Sequence, residues 1–347
     1  PGAAVVVPRE RWHAPPALDT SPVAAGDEAV VVNAAALPGV WFAAACESRA
    51  PSLWLGDGRV AGARLPLAQL RGGIGRGEDF ETVLLGLGLP ALPVNAEFVT
   101  WPWELMARNT DAIAHDLAGV PGAVRGTLHK LVSLEQPERI VVDDGAVVGA
   151  FAVLDASAGP IFIGRGARIE AHSHVCGPCV VGAGTMLLGG LIGGSTFGPE
   201  CRIAGEVEAS VWQGYASKRH HGFVGHSVVG EWVNLGALTT TSDLKNNYGP
   251  VRVWGAGSER ESGSNKVGSI VGAHVKTGIG TLLPTGCSIG AGANLFGGGR
   301  FAPKRLPAFS WWDGERTVEH RIEAFLETAA VATGRRGVTL QPADAAL

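Results

Sequence analysis

Two polar stretches of this 347-residue chain hold the residue types that do chemistry. The run Trp212 to Phe223 carries Lys218, Arg219, His220 and His221, and the run Ser242 to Lys266 carries Lys245, Asn246, Asn247, Tyr248 and Lys266. An imidazole with a free pKa of about 6.5 can take up and return a proton near neutral pH. A lysine ammonium can neutralise a phosphate on a small acceptor. Against these readings, a histidine pair in a polar loop is often plain solvated surface, and so is a lysine in an asparagine-rich loop. His221 and His226 could share a zinc ion only with a third imidazole. His174 is the nearest candidate and lies too far back along the chain, so no metal is expected. His172 and His174 read as outward-facing residues.

The stretches between and around these runs are periodic. Ile163, Ile169, Val175, Val181 and Leu187 step by six. The register slips but continues through Ile192, Phe197 and Ile203. Val229, Leu235 and Thr241 form a second run, and Val271, Thr277, Leu283, Ile289 and Leu295 a third, many followed by Gly. One inward aliphatic per hexapeptide, with small residues at the corners, makes a three-sided coil of about 18 residues stacked at the inter-strand spacing. A sandwich or barrel does not hold a six-residue phase over five steps. The fold expected from about Ile140 to about Gly298 is therefore a left-handed parallel β-helix. The handedness and triangular section follow from what is known of such repeats. The two polar runs break the hexads and read as loops leaving the coil at a corner, a natural place for a site.

Composition agrees. Gly is 51 of 347 residues, which calls for many tight turns, and 46% hydrophobic residues suffice for a large core. A net charge of −4 gives no electrostatic footprint for nucleic acid. No apolar run reaches a membrane span, and no signal segment opens the chain, so a cytoplasmic location is expected. The chain starts at Pro1 rather than Met, so residues are expected to precede it. Five cysteines make no disulfide framework. Cys176-Gly-Pro-Cys179 has a redox spacing but no helix after it, and is expected to pack in the coil.

Four segments are expected: an α/β region over 1–125, a connector over 126–137, the β-helix over 138–300 and an extension over 301–347 with a helix. In the first, Glu28 to Asn33 reads as a buried strand and Pro51 to Leu55 as another. Pro102 to Leu117 reads as an amphipathic helix with Leu105, Met106, Ile113 and Leu117 on one face. Arg71-Gly-Gly-Ile-Gly-Arg76-Gly77 reads as a surface turn. Near the end, Val318, Ile322, Phe325, Leu326 and Ala329 share a helical face over Thr317 to Thr333, stopped by Gly334.

The run from Gly214 through His226, followed by Gly230-Glu-Trp-Val-Asn-Leu-Gly-Ala237 and the stretch to Lys245-Asn-Asn-Tyr248-Gly249, resembles a sugar nucleotidyltransferase family. That family is related to the bifunctional N-acetylglucosamine-1-phosphate uridylyltransferase/glucosamine-1-phosphate N-acetyltransferase. The resemblance covers the β-helix and, more weakly, the Trp101 to Met106 segment. It implies a catalytic histidine about fourteen residues before Asn234, which is His220, with His221 as the alternative. It implies that Asn234 meets the acceptor sugar and that Ala237 meets acetyl-CoA through a backbone group. Lys245 and Tyr248 would lie in the loop surrounding the sugar phosphate; on chemical grounds Lys218 or Lys245 could neutralise that phosphate. It further implies a homotrimer with the acyl donor between neighbouring copies.

The function expected is acyl-CoA-dependent N-acyl transfer to an amino-sugar phosphate in nucleotide-sugar biosynthesis. One alternative is a sugar-1-phosphate nucleotidyltransferase, needing Mg2+, whose β-helix only assembles the oligomer. Another is a non-catalytic scaffold. No nucleoside-triphosphate loop is legible in 1–125, so that region is read as a reduced or truncated α/β nucleotidyltransferase-like domain.

Overall fold

The computed structural model describes residues 28–74 and 80–340. Contacts divide the chain into two compact units, which meet in sequence between Thr100 and Trp101.

Residues 28–100 form a small α/β unit. Its strands are β1 (Glu28–Val32), β2 (Ser52–Gly56), β3 (Arg59–Pro66) and β4 (Ala91–Pro93), in the order β1-β3-β2-β4. β3 runs antiparallel to both β1 and β2, while β4 is parallel to β2. β1 lies at the sheet edge and alternates in exposure, so it is not the fully buried strand its valines suggest. Three helices accompany the sheet: α1 (Val40–Glu47), α2 (Leu67–Ile74) and α3 (Phe80–Gly86). The Arg71 run, expected as a surface turn, begins inside α2 directly after β3; residues 75–77 lie outside the described residues.

The second unit is a left-handed parallel β-helix of about 11 turns. Its first face stacks ten strands, from Ala123–Val124 to Arg305–Leu306. Its second face stacks eleven, from Thr127–Leu128 to Thr317–Glu319. The third face stacks six, from Ser133–Glu135 to Phe223–Gly225, and resumes as the pair Thr240–Thr241 and Leu282–Leu283. Register is one coil per step, as in Ile163 opposite Val181. Every hexad residue named above lies in the interior, from Ile163 through Leu295. Each such aliphatic, withdrawn from water, stabilises the stack by roughly 1.5–3 kcal/mol.

The glycine content has a local cause. From the second coil onward, the corner between first and second faces has a residue at positive φ: Gly145, Gly166, Gly184, Glu200, Tyr215, Trp232, His274, Gly292 and Phe309. Glycine takes that conformation without strain. At three successive corners aromatic side chains stand there instead and stack, Trp232 lying between Tyr215, 4.3 Å away and nearly parallel, and His274.

Three boundaries differ from expectation. The stretch 126–137 is no connector, because Thr127–Leu128 and Ser133–Glu135 already pair in the ladders. The coils also run past 300, to Ser310–Trp312. Val318 sits in a short antiparallel strand against Ser310–Trp312, and the last helix, α5 (Ile322–Gly334), starts later than its periodicity implies. Before α5 comes α4 (Pro102–Asp116), which has Pro102 in its first turn, where a missing N–H costs nothing. Trp103 and Met106 of α4 pack on Val228, Val251, Val253 and Val267. Asn109 donates to the Gly194 carbonyl and accepts from the Thr196 hydroxyl, fixing α4 to the first face. Leu105, expected on the packed side, is exposed.

Candidate functional site

The run Trp212 to Phe223 does not leave the coil. Val211–Trp212 and Ser217–Lys218 are ladder strands, with Trp212 opposite Phe197 and Lys218 opposite Ile203. Trp212 and Lys218 occupy inward positions and are each 1% exposed. Lys218 was expected to meet a phosphate in solvent; it is instead inside the prism. Its Nζ donates to the Ala204 carbonyl at 2.7 Å and to the His220 carbonyl at 2.8 Å. Burial pushes its pKa down to about 8.

His220 and His221 follow on the corner between second and third faces, and both are exposed. The next coil is tied to this corner, because the Leu238 N–H donates to the His221 carbonyl at 2.9 Å. Ala237 therefore lies one rung from the histidine pair, and its own carbonyl accepts from the Gly280 N–H. Asn234 lies outward on the second face, between Ser217 and Lys276 in register. Lys276 was not singled out from sequence. It is half-buried, and burial pushes its pKa down. Its signal was its place one hexapeptide before Leu282, on the outward side of an inward threonine.

The second polar run does leave the coil. It departs after Thr241 and returns at Ser269, its base closed by a bridge between Leu244 and Lys266. Within it Arg252–Gly255 and Ser258–Glu261 form a hairpin, and Val251 and Val253 are fully buried against the α4 cluster. Lys245 donates to the Pro250 carbonyl at 2.6 Å, and Tyr248 is 72% exposed at positive φ. Both stand at the corner between third and first faces. The sequence-derived set is thus divided: His220, His221, Ala237 and Asn234 share one corner and its adjoining face, Lys245 and Tyr248 lie on another, and Lys218 is internal.

The excursion's corner holds a cluster that sequence reasoning missed. His226 Nδ1 donates to Asp243 at 2.7 Å, both side chains being mostly covered. That bond holds the Asp243 carboxyl below its usual range against the opposing effect of burial. Glu208 lies beside them with Lys266 at 3.9 Å. Among the described residues, Glu208, His226 and Asp243 are the one trio of potential metal ligands, their donor atoms within 4.8 Å of one another. His221 is not part of it. Each carboxylate already has a partner, Lys266 for Glu208 and His226 for Asp243, so the geometry reads as a tie at the base of the excursion. Cys176 and Cys179 are free; burial pushes the Cys179 thiol up to about 12, which suits packing rather than redox work.

No family model matches the chain. It is 38% identical over 93 residues to a bifunctional sugar-1-phosphate nucleotidylyltransferase/acetyltransferase of Sulfurisphaera tokodaii, covering 27% of this chain and 23% of that protein. It is 31% identical over 175 residues to the bifunctional protein GlmU of Methylibium petroleiphilum, covering 49% of this chain and 33% of that protein. Over these stretches the chain is similar to GlmU-type bifunctional proteins. It spans 23% and 33% of the length of those two relatives. A solved UDP-N-acetylglucosamine acyltransferase from Campylobacter jejuni is similar over 63% of this chain and 80% of its own, at 12% identity and a TM-score of 0.29. None of the described helices is long and apolar enough to cross a membrane.

Proposed function

We propose that the protein is an acyl-CoA-dependent N-acyltransferase acting on an amino-sugar phosphate, with His220 as general base and His221 as the alternative. The observation that carries this reading is the exposed histidine corner, tied by a backbone hydrogen bond to the rung bearing Ala237 and flanked by Asn234. The GlmU-type relatives support the class of reaction.

In the reaction the acceptor amine attacks the thioester carbonyl. The imidazole takes the proton that the nitrogen sheds, and backbone N–H groups steady the oxyanion. Collapse of the tetrahedral species breaks the carbon–sulfur bond, and the imidazolium returns its proton to the departing thiolate. Asn234 would hold the sugar, and the Ala237 backbone the acyl-CoA. Lys276, beside Asn234 in register, takes the role of anion partner that Lys218 cannot fill. Lys245 and Tyr248 lie on a different corner, so in this reading they reach a sugar phosphate from a neighbouring copy in a trimer. Magnesium would enter only with nucleotidyl transfer.

The test is consumption of acetyl-CoA in the presence of a hexosamine 1-phosphate. Dependence on the amine, and its loss in His220→Ala, is the expected result. Pyrophosphate release from a nucleoside triphosphate and a sugar 1-phosphate, without acetyl-CoA consumption, would replace this reading with nucleotidyl transfer.

A further inference from the structure

The inward column of the second face reads Val148, Ile169, Leu187, Ile203, Lys218, Leu235, Thr277, Leu295 and Trp312. One ammonium interrupts a column that is otherwise almost wholly apolar. A buried charge carries a desolvation penalty and persists only where hydrogen bonds compensate it. The compensation comes from a step in the coil. Below Lys218, only Ala204, Gly205 and Glu206 separate the inward residues Ile203 and Val207. Above it, Arg219 to Phe223 separate Lys218 from Val224. The corner carrying His220 thus overhangs a shorter one, and the ammonium lies in the step. It bonds to the Ala204 carbonyl beneath and the His220 carbonyl above. Gly205, at φ +83, leaves the space: a Cβ there would stand 2.9 Å from the Lys218 Nζ.

The geometry points to Lys218 as a positioning residue, an internal clamp that holds the overhanging corner by the His220 backbone and so fixes the histidine against the site. This rests on the reading of His220 given above. A purely structural filler would be served better by leucine or methionine, which match the column and carry no charge. The same clamp accounts for two cross-rung bonds around the corner. The Leu238 N–H reaches the His221 carbonyl, and the Glu206 N–H reaches the Gly222 carbonyl.

The test uses the full chain and two variants. Lys218→Met keeps the length and apolar volume and removes the ammonium; Lys218→Gln keeps a donor. In Lys218→Met, amide hydrogen exchange at Glu206 and Leu238 is expected to quicken at least tenfold, while Leu187 and Val229 keep wild-type protection. Acyl transfer is expected to lose at least tenfold in kcat with both KM values within twofold. Lys218→Gln is expected to show the same split at smaller amplitude, and it carries the test should the Met variant not fold. Unchanged protection at Glu206 and Leu238 in whichever variant folds overturns the clamp, whatever the activity. Quickened exchange with unchanged kcat keeps the clamp but overturns its link to the reacting histidine. A wild-type chain without acyl transfer defeats the functional reading alone, because the exchange arm still reads the clamp.

Discussion

The coils up to Ile203 and those from Ala204 onward share one architecture and differ in what lines it. In the lower coils the inward hexad positions are apolar, with Val142, Leu154, Ile163, Val175 and Leu187 all fully buried, and the buried hydroxyls are the small ones of Ser173, Thr185 and Ser195. In the upper coils Lys218, Thr241 and Thr277 enter inward positions, and the Thr277 hydroxyl bonds Thr239 and the Gly236 N–H. The upper coils also carry the overhanging corner and the excursion. The lower part keeps an apolar side chain at each inward hexad position, even where its corners shorten between Leu187 and Phe197. The upper part spends some of that regularity on polar atoms, and the candidate site residues named from the sequence all fall there.

Four results would break or sharpen this contrast. Leu187→Ala, deep in the lower stack, is expected to lose about 2–5 kcal/mol in urea unfolding. Its kcat should stay within twofold, whereas a large kcat loss would show that the lower coils are part of the site.

The second prediction concerns Lys218. Its folded pKa is depressed to about 8, so the unfolded chain binds more protons above that pH. Stability should therefore rise between about pH 8 and about pH 10.5, on the order of 3 kcal/mol, and the rise should vanish in Lys218→Met. Urea midpoints across that window check it.

The third is Asp243→Asn, expected to lose about 1–2 kcal/mol at pH 7. The folded pKa of Asp243 is lowered by His226, so its contribution is complete above the unfolded value and disappears as pH falls through the folded one. The wild-type and the variant should converge in acid. Catalytic constants within a few fold would mark the His226 pair as a tie; a loss matching His220→Ala would make it part of the chemistry. The smallest effect is Gly166→Ala, at φ +65 in open space, expected near 1 kcal/mol from backbone strain alone.

The sequence carried the β-helix because one inward residue in six leaves a period that survives slips of register. Ile163 to Leu187 could be counted without any structure, and Ile192, Phe197 and Ile203 kept the thread through shortened corners. The count failed at Trp212 and Lys218, since a search for aliphatics passes over an indole and an ammonium that occupy the same inward place. A regular coil therefore read as a loop. The exposed corner of His220 and His221 was legible from its neighbours Asn234 and Ala237. The bond between His226 and Asp243 was not, because the partners are 17 residues apart and meet only when one coil stacks on the next. The late start of α5 has a similar cause: Val318 suits a helical face and a strand equally, and pairing with Ser310–Trp312 decides between them.

The most direct test of the account is steady-state acyl transfer from acetyl-CoA to a hexosamine 1-phosphate by wild type and His220→Ala, with melting temperatures measured alongside. A fall of about 10²–10⁴ in kcat at an unchanged melting temperature is the predicted result. Full rate in His220→Ala, with His221→Ala equally active, would contradict it.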